Sequence, residues 1–359
     1  MKKKIYFNGR FLTQSITGVQ RTAYELLLSI DDLLDSDKIF TNKYQFILIY
    51  SGTLLNPIQL RNIKIEKRGF LTGNLWEQLL LPYYTWGNLL ISMCMVSSLI
   101  KRKQIVIVHD ASFKVNPQFF SFTFRTWYKF AISTLGKVAR HIVTVSKFSR
   151  QELITKVGIT ANKISVIYNA ADHMNRFGEA DETFKKRIDK LKPFCLAVSS
   201  LSLNKNFTTL TKAFEKINFL NYNMVIAGGI SNSLRKTELN KSIEYVGYVT
   251  NEQLKYLYSN ATLFIFPSLY EGFGIPPLEA MICGCPVISS NTSSLPEVLG
   301  EGSQYFNPRN VDEIARAIED ILRDKETLNS LRAAGFLQVH KYSWNKSASQ
   351  LFNLIMKYA

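Results

Sequence analysis

Short runs rich in β-branched and aromatic residues alternate along the whole chain with longer stretches of helical period. That is the pattern of parallel strands joined by crossover helices. In the first half, KIYFN (4–8), YQFILIY (44–50), KIEKRG (64–69), LLISM (89–93), QIVIVHD (104–110), HIVTVS (141–146) and KISVIYN (163–169) predict strands. Several of them end in a polar residue or glycine. In the second half the strand candidates are FCLAVSS (194–200), YNMVIAGG (222–229), IEYVG (243–247), TLFIFPS (262–268) and PVISS (286–290), with helices predicted over 206–217, 251–260 and 310–323. The class is α/β, built as two independent βα series. Between them GEADETFKKRIDKLKP (178–193) is charged and poor in large apolar residues, which predicts a linker, a short solvated helix and a domain boundary near 180. Two doubly wound, Rossmann-like domains in tandem are expected to face a central cleft with the carboxyl ends of their strands, where such sheets bind ligands.

Composition removes other classes. At ~100–200 residues per domain, 359 residues suffice for two domains with ample cores. The 46% hydrophobic and 20% charged content is ordinary globular usage, so disorder is not expected. The most apolar stretch, residues 89–100, falls short of the ~20 residues that span a bilayer as a helix. Asn8, Gly9 and Arg10 interrupt the first apolar run, and no export signal is read there. Cys94, Cys195, Cys283 and Cys285 are too few for a disulfide framework, so a reducing cytoplasm is expected. The net charge of +16 implies an anionic partner. It is unevenly placed, with 24 basic and 11 acidic side chains in residues 1–180 against 20 and 17 in residues 181–359.

The densest chemistry lies in FPSLYEGFGIPPLEAMICGCPVISS (266–290). A strand runs out at Pro267, a loop carries Glu271, Gly272 and Gly274, and Pro276 and Pro277 stand where a helix starts. Glycines let backbone approach a ligand, and the N–H groups and dipole of a helix start favour phosphate. Glu271 on the loop and Glu279 in the helix are placed to accept hydroxyl hydrogen bonds from the two ends of one molecule, as suits a ribose or a sugar ring. Taken singly, each glutamate also fits a helix cap or a solvated face.

This segment resembles the donor-binding motif of the retaining glycosyltransferase family 4, two-domain enzymes of the GT-B fold. The resemblance extends over nearly the whole chain through ITGVQR (16–21), EQLLLP (77–82), IVIVHDASF (105–113), TVSKFSRQEL (144–153), ISVIYNAAD (164–172), NKN (204–206), SSLPEV (293–298) and YSW (342–344). It implies an acceptor-side domain over 1–180, a nucleotide-sugar domain over 181–340 and a terminal helix over 341–359 that packs back on the first. By position it implies that Glu279 binds the nucleotide ribose and Glu271 faces the transferred sugar, with backbone N–H groups of Phe273, Gly274 and Ile275 beside it. Lys205 matches the family's diphosphate-binding lysine. The Arg usually near it is absent; Ser200, Ser202 and Asn204 occupy the neighbourhood, leaving Arg21 or another cation to serve. Gly18 falls in the first domain's phosphate-facing loop, His109 where a sugar hydroxyl is contacted, and Tyr248 and Val249 where the nucleobase is held. Ser146 and Lys147 are weaker strand-end candidates.

The implied activity is hexosyl transfer from a nucleotide diphosphate sugar, GDP-, UDP- or dTDP-linked, to a saccharide acceptor, lipid-linked, in the building of a bacterial surface polysaccharide. No cofactor and no metal are expected. Asp35-Ser36-Asp37 has a DxD spacing but lies in an acidic run after a helix and reads as a solvated turn, and Cys283 with Cys285 lacks a second pair at zinc spacing. No GxGxxG or Walker loop is present. Residues 117–137 interleave seven aromatics with Arg125, Lys129 and Lys137, which fits a helix at an anionic membrane surface on the cytoplasmic side, or equally a partly buried helix with a basic face. Lys101, Arg102 and Lys103 form a further cluster, and no nucleic-acid module is recognised. Two other readings keep the donor site, one an epimerase or phosphorylase, the other a non-catalytic sugar-nucleotide-binding subunit.

Overall fold

The computed structural model describes residues 2–36, 38–199, 202–217, 221–229 and 243–359. Ser200 and Asp37 lie outside the described residues. Contacts divide the chain into two compact units, Met1–Asn169 with Ser343–Ala359, and Ala170–Tyr342.

The first unit holds a parallel sheet of seven strands: β1 (Lys3–Asn8), β2 (Tyr44–Tyr50), β3 (Ile63–Lys67), β4 (Leu89–Ser92), β5 (Gln104–Ile107), β6 (His141–Thr144) and β7 (Ile164–Val166). Their order is β3-β2-β1-β4-β5-β6-β7, so the winding reverses between β1 and β4. All seven coincide with predicted runs. The central strands β4, β5 and β6 are buried along their whole length, which is why they read as continuous apolar runs and not as alternating ones. The terminal helix Trp344–Tyr358 belongs here. It is capped by Ser343, buries Ala348, Leu351, Phe352 and Ile355, and sets the Phe352 ring edge-on to Phe40 at 4.9 Å.

The second unit holds β8 (Phe194–Val198), β9 (Asn223–Ala227), β10 (Ile243–Gly247), β11 (Leu263–Phe266), β12 (Val287–Ser290) and β13 (Ser303–Phe306), ordered β10-β9-β8-β11-β12-β13 and all parallel. Here the winding reverses between β8 and β11. One face of the sheet is covered by the helices Phe207–Glu215 and Val311–Arg323, whose Leu210, Phe214, Ile314, Ile318 and Ile321 join Cys195, Ala197 and Ile265 in one core. The i, i+4, i+7 spacing of the three isoleucines puts them on one helix face.

Three expectations need correction. The boundary lies at Asn169/Ala170 and not near 180, because the 3-10 turn Asp172–Arg176 packs within the second unit. Strand β13 was not foreseen: SQYF mixes polar and aromatic residues too briefly to show a period. The helix Glu182–Asp189 is not simply solvated, since Phe184 and Ile188 are buried one turn apart.

Candidate functional site

In the second unit the site forms where β8 and β11 diverge, the topological switch point at which open α/β sheets bind ligands. After β8 the chain makes the 3-10 turn Leu203–Lys205. Asn206 follows in the left-handed region at φ 59°, which Asn tolerates better than most residues. Its side chain ties three segments together: Nδ2 donates to the carbonyls of Pro267 (3.1 Å) and Pro308 (2.7 Å), and Oδ1 accepts from Thr209 (2.6 Å). Lys205 is thereby aimed back across β11. Its ammonium lies 2.6 Å from Glu271 Oε1 and 5.8 Å from the centroid of the Phe266 ring, with both charged side chains mostly buried.

The loop carrying Glu271 is pinned at both ends. Leu269 N–H donates to the carbonyl of Asn204 (2.8 Å), Glu271 N–H donates to Ser293 Oγ (2.9 Å), and Ser294 Oγ donates to the Glu271 carbonyl (3.0 Å). The SSLPEV segment therefore serves as the loop's scaffold. Gly274 caps the helix Ile275–Ile282 at φ +97°, and a Cβ there would lie 2.7 Å from Leu295 Cδ2. Because Pro276 and Pro277 carry no N–H, the amides of Gly274 and Ile275 are the ones this helix start can present to an anion. The Phe273 ring is buried, edge-on to Tyr342 at 5.8 Å, so this residue can offer its backbone but not its side chain.

Glu279 is buried, and both of its carboxylate oxygens have protein partners: His173 Nε2 lies 3.0 Å from Oε1, and the Tyr258 hydroxyl donates to Oε2 at 3.1 Å. Burial, then the neighbouring Glu279 charge, pushes the Tyr258 phenol well above its usual range, so Tyr258 stays a donor. His173 and Tyr258 were missed in the sequence. Each sits in a stretch with no motif of its own, and only the packing of the turn Asp172–Arg176 and the helix Asn251–Asn260 against Ile275–Ile282 brings them in. Tyr248, exposed, and Val249 follow β10.

Gly18 and His109 belong to the first unit. Gly18 opens the helix Gly18–Ser36, ahead of which Thr17 pairs with Gln20. His109 is buried just beyond β5, with Nε2 3.0 Å from the Met93 carbonyl. Burial lowers its pKa, so the ring is neutral; the proton sits on Nε2, and Nδ1 is left as an acceptor. Beside the β1/β4 divergence, Asn8, Arg10, Gln14, Asn74, Glu77 and Tyr128 are among the residues lining a cavity of about 140 Å³. Glu77 is held there by Arg10 (2.5 Å) and Asn8 (2.7 Å), and burial outweighs both and raises its pKa. The EQLLLP string showed this carboxylate without revealing that it is buried. Arg21 meets Glu25 at 3.4 Å, and Ser146 caps the helix Lys147–Glu152. Asp35 is bound by Arg61 (2.6 Å) and Asn62 (2.7 Å), an ordinary neutralised carboxylate.

Comparison with known proteins agrees with this architecture. Residues 179–338 match the family Glycosyl transferases group 1, and residues 83–174 match Glycosyltransferase Family 4. Over 228 residues the chain is 32% identical to the O-antigen chain mannosyltransferase B of Escherichia coli, covering 60% of this chain and 60% of that relative. The matched segment thus spans under two thirds of the relative. In fold, the chain is similar to the sucrose-phosphate synthase of Thermosynechococcus elongatus, at a TM-score of 0.76 and 17% identity over 99% of both chains. It is similar also to Anabaena Alr3699/HepE, solved in complex with UDP and glucose, at a TM-score of 0.70 and 17% identity over 99% of this chain and 100% of that one. Two parallel-sheet Rossmann-like units with these neighbours define the GT-B class. By these matches the chain is similar to glycosyltransferases of family 4.

Proposed function

We propose that the protein transfers a hexosyl group, mannosyl by the analogy of its named relative, from a nucleotide diphosphate sugar to a saccharide hydroxyl with retention of anomeric configuration, in the assembly of O-antigen or a related surface polysaccharide. The observation that carries this reading is the Lys205–Glu271 pair at the β8/β11 divergence, beside a helix start capped by Gly274.

As the bond to the anomeric carbon loosens, negative charge gathers on the departing diphosphate and positive charge on the sugar. Preorganised donors aimed at the former supply most of the acceleration. Lys205 and the amides of Gly274 and Ile275 take that part. Glu271 positions the sugar and balances the developing positive charge; no carboxylate is assigned as a covalent nucleophile, and the leaving phosphate takes the acceptor's proton on the same face. Glu279, held by His173 and Tyr258, is assigned to a ribose hydroxyl, since a carboxylate oxygen can accept more than one hydrogen bond. Tyr248 and Val249 are assigned to the base, Phe273 to backbone contact, His109 to a sugar hydroxyl through Nδ1, and Gly18 to phosphate. With Lys205 as the local cation, transfer is taken to be independent of a metal.

The acceptor is proposed to be lipid-linked and met at the cytoplasmic membrane face. On the helix Phe122–Val138, Phe122, Phe124 and Phe130 are exposed alongside Arg125 and Lys129, a combination suited to an anionic interface. Among the described residues no helix is long and apolar enough to cross a membrane.

The test incubates the protein with GDP-, UDP- and dTDP-linked sugars and a lipid-linked saccharide, with and without EDTA, and follows product by mass and by anomeric NMR. An axial-donor, axial-product linkage formed in EDTA is expected. Free sugar or sugar phosphate as the sole product, or an inverted linkage, would reject the reading.

A further inference from the structure

The basic string 101–103 is not used by the transfer chemistry, and the fold gives it companions. Three adjacent parallel strands of the first unit are each preceded by cations: Arg102 and Lys103 before β5, Arg140 before β6 and Lys163 before β7. The register Ile105↔His141 and Ile142↔Ile164 places these positions nearly in line across the amino edge of the sheet, where neighbouring strands are about 4.8 Å apart. Together with Val138 and Ala139 they line an open pocket of about 390 Å³. That lies in the range of small-ligand sites, roughly 300–1,000 Å³.

The cations are not spent on carboxylates. Among the described residues no Asp or Glu forms an ion pair with Arg102, Lys103, Arg140 or Lys163. Lys163 is steadied by the carbonyls of Gly136 (3.1 Å) and Lys137 (2.9 Å), and the Arg140 guanidinium lies 5.2 Å from the Tyr358 ring centroid. Both contacts hold a side chain in place and leave its charge uncompensated. The surrounding field has visible effects: burial, Lys357 and Lys163 lower His141 to about 4, and burial with Lys103 lowers Lys101 to about 8. The pocket is at the edge opposite the carboxyl ends that carry His109, and at the other end of the helix Phe122–Val138 from Phe122 and Phe124, roughly 20 Å along the helix at 1.5 Å per residue.

We infer that Arg102, Lys103, Arg140 and Lys163 form a second anion site, one that takes a phosphoryl group from either an anionic lipid headgroup or a soluble diphosphate. Guanidinium forks suit phosphate oxygens, and two arginines beside two lysines supply both planar and point-charge donors.

Lysine acetylation read by peptide mass spectrometry tests this on the full chain, because Lys103 is scored separately from Lys205. The probes are inorganic pyrophosphate, vesicles of phosphatidylglycerol with phosphatidylcholine, and phosphatidylcholine vesicles alone. Lys103 is expected to be labelled several-fold more slowly with pyrophosphate, with the anionic vesicles or with both. Protection by pyrophosphate alone identifies a soluble ligand; protection by vesicles alone identifies a headgroup. In Arg102→Gln/Arg140→Gln the concentration needed should rise about tenfold, the effect of losing a charge-assisted hydrogen bond, while Arg102→Lys keeps most of the protection. Melting curves check that the variants fold. Absence of protection by either probe, equal protection of Lys216 and Lys325 of the second unit, or protection unchanged in the double variant would each overturn the proposal.

Discussion

The ammonium of Lys205 and a carboxylate oxygen of Glu271 lie 2.6 Å apart although 66 positions separate them. They follow β8 and β11, neighbours in the sheet at the point where the winding reverses, so the topology rather than local sequence makes the pair. Replacing Lys205 by Met is expected to lower kcat about 10²–10³-fold, the usual cost of removing one preorganised donor at a developing anion. Glu271→Gln, which keeps the shape and removes the charge, should lower kcat with a smaller change in nucleotide affinity. Steady-state kinetics beside calorimetric titration of the nucleotide separates the two effects.

Gly274→Ala forces a side chain into a φ of +97° and against Leu295. Strain of that kind costs about 1–3 kcal/mol. The expected outcome is a lower urea midpoint together with weaker nucleotide binding, since the strained residue is also the one whose amide opens the helix. A variant of native midpoint and native affinity would show that the loop relaxes without cost.

Tyr258→Phe deletes a hydrogen bond to a buried carboxylate and leaves the ring packed edge-on against Phe264. Hydrogen bonds to charged groups contribute about 1.5–3 kcal/mol. Urea unfolding should show that loss at an unchanged m-value. An unchanged midpoint would mean that Glu279 does not depend on this donor.

Histidine 141 offers a pH-dependent prediction. Its folded pKa of about 4 is below the ordinary value of 6.5, so between those pH values the unfolded chain binds the extra proton. The stability associated with a neutral His141 is therefore full above about pH 6.5 and is lost as pH falls toward 4. Carboxylates titrate in the same window, so the readout is a difference. His141→Gln should lose less stability than the parent between pH 6.5 and 4, by on the order of 2 kcal/mol in denaturant melts. Parallel curves for the two proteins would remove His141 as the source.

Of the thirteen strands among the described residues, twelve were legible in the chain alone, the central ones because a strand buried on both faces is written as an unbroken apolar run and the partly exposed β3 and β10 through their β-branched and aromatic residues. Only β13 escaped, a four-residue strand with an exposed Gln304. The helix start at 274–277 was legible for a related reason: a positive φ favours glycine and first-turn positions that need no intrahelical N–H bond accept proline, and Gly274 with Pro276 and Pro277 records both. These are local demands, and local demands are visible in composition and spacing.

Partnership was not legible. Nothing near His173 or Tyr258 marks them as the groups that hold Glu279, and the three segments joined by Asn206 meet only after folding. The basic pocket shows the same limit, since its cations stand at 102–103, 140 and 163 and become neighbours through parallel register. Hydrophobic period and backbone restriction act over a few residues and leave their mark there, which is enough to specify the class of fold and the helix mouth of the site. Which charges are paired, which carboxylates are buried and which cations converge depends on strand order and crossover geometry, and these arise only when distant segments exclude water together.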